Sequence, residues 1–281
     1  MKFSFFFALS LPVLAHHGQD FLVTLDTGTT VPWEFRTTIG GEYTRYSGSH
    51  EASATQTVIL GLPHRFSLSS TIRLADESSG SWDSLSITPT LQWSAPNLNL
   101  SGAFSTLGLA AAFGWEFPLE GSDSHNHDSI DLMDCSGLAG IPPLFQACQL
   151  ANLNATNHTH GNGGHSHRGI QRHGEGHGFL RLIAELKPTS KDRIVFNTIT
   201  VFPEDESPQW GYAFAYRRRF NEQFSLGLEA IGDLDWDGEH LIYLTGTSYL
   251  NHHLTATFGL ATGLTDASPD FTIQTLVAWR F

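Results

Sequence analysis

Phe271-Thr272-Ile273-Gln274-Thr275-Leu276-Val277-Ala278-Trp279-Arg280-Phe281 closes the chain. Taken two at a time from the end, Phe281, Trp279, Val277, Thr275, Ile273 and Phe271 form one set. Arg280, Ala278, Leu276, Gln274 and Thr272 form the other. One set is apolar or neutral and ends in aromatics; the other is mostly polar or small. A period of two is that of a β-strand with one apolar and one polar face.

A terminal strand with an outward aromatic at its last position resembles the insertion signal of bacterial outer-membrane β-barrels. The resemblance implies a Gram-negative outer membrane, its lipid and the barrel-assembly machinery as partners. It is carried by pattern over the mature chain and names no particular transporter family. The amino terminus agrees: Met1-Lys2, an apolar run from Phe3 to Leu14 and the small Ala15 read as a signal peptide over residues 1–15. The barrel is then expected over residues 16–281, with a long insertion over residues 118–176.

Turn residues divide the chain into twelve candidate strands: Val31–Tyr46, Ala52–Leu62, His64–Ala75, Trp82–Ser94, Leu98–Phe117, His177–Lys187, Asp192–Phe202, Gln209–Arg219, Gln223–Asp233, Glu239–Leu250, His252–Leu264 and Pro269–Phe281. Twelve is even, as single-chain bacterial barrels require. Tight connections alternate with mostly longer, acidic ones, which is the pattern of short periplasmic turns and long outside loops. The expected fold is all-β, a transmembrane up-and-down antiparallel barrel of about 12 strands with a long His-rich extracellular loop. Within the uncharged stretch from Ser84 to Trp115, the fairly apolar run from Leu98 to Trp115 approaches the length of a spanning helix. Its polar residues and its change of parity fit one long strand with a bulge near Ser105 better.

Several strands separate into two faces. Trp210, Tyr212, Phe214 and Tyr216 oppose Gly211, Ala213, Ala215, Arg217 and Arg219; Phe66, Leu68, Ile72 and Leu74 oppose Arg65, Ser67, Ser69, Thr71 and Arg73. A charge facing lipid near the midplane costs ~2–4 kcal/mol, so charges belong inside. The expected lumen carries Arg36, Glu42, Arg73, Arg181, Glu185, Arg217 and Glu229. Parity does not distinguish an open pore from a lumen in which these charges pair and plug it. Ala52–Leu62 and Asp192–Phe202 do not separate into faces.

The insertion concentrates potential ligands. From Pro118 to His177, at the start of the next strand, lie His125, His127, His158, His160, His165, His167, His173 and His177, eight of the chain's fifteen histidines. Six form H-x-H pairs, and neutral imidazole suits zinc, copper and nickel. A His- and Gly-rich tract is a compositional metal-binding signal without fixed geometry; a solvated loop is the plain alternative. His16 and His17, at a newly cut amino terminus, add a second candidate for copper. Cys135 and Cys148 are expected to form a disulfide in an exported protein. No organic cofactor is implied.

The net charge of −13 argues against nucleic acid as a partner. No G-x-S-x-G, P-loop or Ser–His–Asn grouping like that of the twelve-stranded outer-membrane phospholipase is recognisable, so the chain is read as a non-enzyme. The leading expectation is a channel or capture protein for small solutes, divalent metal cations first among them. The other reading is a structural or adhesive surface barrel without transport.

Overall fold

The computed structural model describes residues 21–77, 82, 84–100, 106–120, 176–204 and 207–281. Among them the chain forms β1 (Phe35–Tyr46), β2 (Ser49–Leu62), β3 (Phe66–Glu77), β4 (Ser84–Ser94), β5 (Leu98–Asn99), β6 (Thr106–Glu120), β7 (His177–Lys187), β8 (Asp192–Pro203), β9 (Gln209–Arg219), β10 (Phe224–Asp233), β11 (His240–Tyr249), β12 (Leu254–Gly263) and β13 (Phe271–Arg280). Each long strand pairs antiparallel with its sequence neighbours. β4 skips β5 to pair with β6, and β1 pairs with β13 from Arg36↔Arg280 to Arg45↔Phe271. Twelve strands thus close into a barrel, with β5 as a short extra piece. Closure leaves no free sheet edge, a requirement for strands that cross lipid. Among the described residues no helix is long and apolar enough to cross a membrane.

The alternation read at the carboxyl terminus holds along β13. Ile273, Val277 and Trp279 are exposed and Thr272 is buried. The Phe281 N–H bonds the Phe35 carbonyl at 3.0 Å and the two rings lie 5.6 Å apart, so the last residue is fixed at the seam. At that seam Arg36 and Arg280 sit opposite one another in register. Glu34 Oε1 accepts from both guanidiniums, at 3.3 and 3.1 Å, which offsets the repulsion of like charges across a strand pair.

Three local expectations change. Leu98–Asn99 folds back antiparallel on Thr106–Leu107, so the long fifth strand is two strands, and the three residues expected to join Ser94 to Leu98 are part of a wider connection from β4 to β6. Ser105, near which a bulge was expected, lies outside the described residues; a separate irregularity between β4 and β6 falls at Leu85/Ser86. The β1–β2 connection is only Ser47-Gly48, tight because Gly48 takes φ +111.

The strands that sequence left unresolved have simple reasons. β2 puts the polar Gln56 on its exposed face beside Ala54. β8 buries Val195, Asn197, Ile199 and Val201 on one face and exposes Phe196 and Phe202 on the other, so both faces read apolar. An apolar inner face needs something apolar inside the barrel.

Candidate functional site: a segment held in the lumen

That something is the chain's own amino-terminal part. Residues 31–34 cross the rim at the short-turn end, where the Trp33 N–H donates to the Gly61 carbonyl and the Gly61 N–H to that of Glu34. Gly61 is required here, since a Cβ would overlap the Val31 carbonyl oxygen and lie 2.7 Å from that of Thr30. From Thr30 back to Phe21 the chain runs inside the barrel.

The wall holds it chiefly by its backbone. Glu229 accepts the N–H groups of Leu22 and Val23 at 3.0 Å each and of Thr24 at 3.3 Å. Asn197 accepts the Leu25 N–H and donates to the Leu25 carbonyl, both at 2.9 Å. Arg181 donates to the Val23 carbonyl at 3.3 Å. From β4, Gln92 donates to the carbonyls of Asp26 and Gly28, and Ser94 to that of Thr27. Three side chains of the segment add their own contacts. Thr27 donates its hydroxyl to Glu185 at 2.6 Å, Asp26 pairs with Arg193 at 3.0 Å, and the Phe21 ring lies under the guanidiniums of Arg193 and Arg217. Glu229 and Glu185 are 1% and 2% exposed. A buried carboxylate is costly unless hydrogen-bonded, and here the segment and neighbouring cations supply the donors.

Two apolar layers complete the packing. Leu22 joins Ile199, Val201, Ala213, Ile231, Leu241, Tyr243 and Ala261; Phe21 joins Ala110, Ala112, Ile183, Val195 and Ala215. These are the inner faces of strands on one side of the barrel. Polar lumens carry no such layers.

Of the residues expected in the lumen, Arg181, Glu185, Arg217 and Glu229 gather around this segment. Arg36 is buried against Glu34 at the short-turn end. Arg73 pairs with Glu51 toward the other end, and Glu42 accepts from Thr44 at 3.4 Å. Arg65 and Arg219, also expected inside, lie exposed at the rim and bond the carbonyls of Ala95, and of Asn221 and Glu222. Sequence reading missed Asn197, Arg193, Gln92 and Ser94.

At the long-loop end lies a cavity of about 1240 Å³. Its lining includes Asp233, Asp235, Asp237, Glu239, Asp266 and Asp270 and no lysine or arginine among the described residues. Tyr46 and Trp210 contribute rings.

Of the expected metal ligands, only His177 is described. It is buried, with Nε2 3.8 Å from Glu116 Oε2. His16, His17, His125, His127, His158, His160, His165, His167 and His173 lie outside the described residues, as do Cys135 and Cys148 and the signal peptide. Among the described residues no group of three His, Cys, Asp or Glu side chains is placed to hold a metal ion.

No family model and no curated protein matches the chain. Solved structures do. The KdgM porin superposes at a TM-score of 0.53 with 8% identity, over 88% of this chain and 99% of that one. The COG4313 outer membrane channel from Pseudomonas putida F1 gives 0.54 with 12% identity, over 91% and 98%. The fold is that of a bacterial outer-membrane β-barrel. Identities this low carry the likeness of backbone and nothing of the solute. For such a barrel the exposed belt, with Phe113, Phe196, Phe214, Leu244 and Phe258 among it, is the face that lipid covers.

Proposed function

We propose that the chain is an outer-membrane channel for small solutes, closed at rest by residues 21–30. One observation carries the closure: Glu229, Asn197 and Arg181, on three strands of the wall, together bond the N–H groups of residues 22–25 and the carbonyls of Val23 and Leu25 in the lumen. A purely structural barrel gains nothing from a lumen filled by a separable strap on one side and an open cavity above it. The solved barrels with this backbone are porins and channels, which supports the same reading. In this reading the short turns face the periplasm, the insertion faces outside, and the barrel-assembly machinery inserts the chain.

The six carboxylates at the outer mouth favour cations by simple Coulomb attraction. The His-rich tract would add imidazoles for zinc, copper or nickel above that mouth, with His16 and His17 as a separate copper candidate. Divalent cations are therefore the first solutes to try.

Conductance in planar bilayers tests the proposal. Purified full-length protein should show rare, small openings, and a variant lacking residues 21–30 should show a persistent, several-fold larger conductance. Equal, negligible conductance from both would favour the structural or adhesive barrel.

A further inference from the structure

We infer that the wall beneath Phe21 is a binding site for an aromatic carboxylate, which the chain's own segment fills until such a solute arrives. The inference rests on the channel reading above and concerns the seat of the closing segment in mid-lumen, a site apart from the acidic outer mouth that favours cations.

Arg193 on β8 and Arg217 on β9 are direct partners in register. Like charges directly opposite repel, and burial of Arg217 strengthens the repulsion. What lies against them answers this. The Phe21 ring presents its face to both guanidiniums, at 4.1 Å from Arg217 and 5.2 Å from Arg193. A ring face attracts a cation, more so when water is excluded. The Asp26 carboxylate meets Arg193 at 3.0 Å, and Glu185 accepts from the same guanidinium at 2.9 Å. Arg217 also donates to the Tyr249 hydroxyl at 3.3 Å.

The floor under the ring is made for a flat apolar group. Ala110, Ala112 and Ala215 carry nothing beyond Cβ, and Ile183 and Val195 border them. These small side chains pack against the Phe21 ring. When the segment withdraws, the site loses one aromatic ring and one carboxylate together, both within reach of a single guanidinium. A benzoate-like molecule restores both at once. A short aliphatic acid restores only the charge, and a neutral arene only the ring. Such a solute competes with residues 21–26 and shifts the barrel toward its open state.

The test uses benzoate, acetate and phenol as probes. Benzoate should raise the bilayer conductance of the full-length protein several-fold, and acetate and phenol should not. Calorimetry should show benzoate binding to the barrel lacking residues 21–30, weakened at least tenfold by Arg193→Gln in that background. A barrel lacking residues 21–30 that conducts but binds no benzoate, or binds acetate equally, overturns the inference and leaves the channel reading standing. One that binds benzoate but never conducts overturns the channel and keeps the site. If the deletion does not refold, full-length protein with Phe21→Ala and Asp26→Asn vacates the same space and must bind benzoate; failure there also overturns the inference.

Discussion

Asn197 and Leu25 exchange two hydrogen bonds, the amide oxygen accepting and the amide nitrogen donating at 2.9 Å each. One side chain thereby does for the segment what a neighbouring strand would do. Asn197→Leu keeps the volume and strands a buried N–H and a buried carbonyl, at roughly 1–3 kcal/mol for each group left unpaired. The closed-to-open ratio should fall by about thirtyfold or more. Single-channel records should show longer openings with unchanged conductance per opening. An unchanged open fraction would mean that the segment is not the gate.

Gly61→Ala tests the route of the segment. The added Cβ meets backbone oxygens of residues 30 and 31 that cannot swing aside. The barrel should assemble while residues 21–30 leave the lumen. Chymotrypsin should then cut at Phe21 or Leu25 in the detergent-solubilised variant and spare the parent, in which Phe21 is 1% exposed. Equal protection would place the constraint elsewhere.

Glu34→Gln tests the seam. Glu34 takes guanidiniums from β1 and β13, and the neutral amide leaves Arg36 and Arg280 opposed. Since Arg280 is partly exposed, the loss is about 1 kcal/mol after screening. The temperature at which the folded band shifts on a gel should fall by a few degrees, with conductance unaffected. A rise or no change would show that other groups hold the closure.

The His-rich insertion predicts metal uptake outside the barrel. Replacing His158, His160, His165 and His167 by Ala should remove most zinc binding in calorimetry and leave assembly intact. Neutral rings are the ligands, and unperturbed His titrates near pH ~6.5, so affinity should drop below that pH. Magnesium and calcium should bind weakly, as they prefer oxygen donors. Zinc uptake indifferent to pH would mark the tract as a solvated loop.

The architecture was legible because a barrel in lipid imposes a strict two-residue period, visible from Phe271 to Phe281 and from Gln209 to Arg219. The same parity put Arg181, Glu185, Arg217 and Glu229 inside. It could not show what they hold. Phe21–Thr30 is as long as β10 to β13 but carries a single charge, Asp26, and its partners come from strands far away in sequence. The plainest trace was β8, where Val195, Ile199 and Val201 defied the polar lumen; the apolar filling that explains them was itself part of the chain. Asn197 and Gln92 read as ordinary polar positions, since a single amide carries no mark of the backbone that it will bind.

The seam has a bearing on biogenesis. The strap continues directly into β1, and β1 meets β13, the last of the described strands in chain order. Until those two strands zip together, the cylinder has a slit along its side, and the strap hangs from one lip of it. Residues 21–30 can therefore be laid in laterally while the slit is open, with no need to thread a finished tube from below. Closing the seam then encloses them within the wall that β1 and β13 complete.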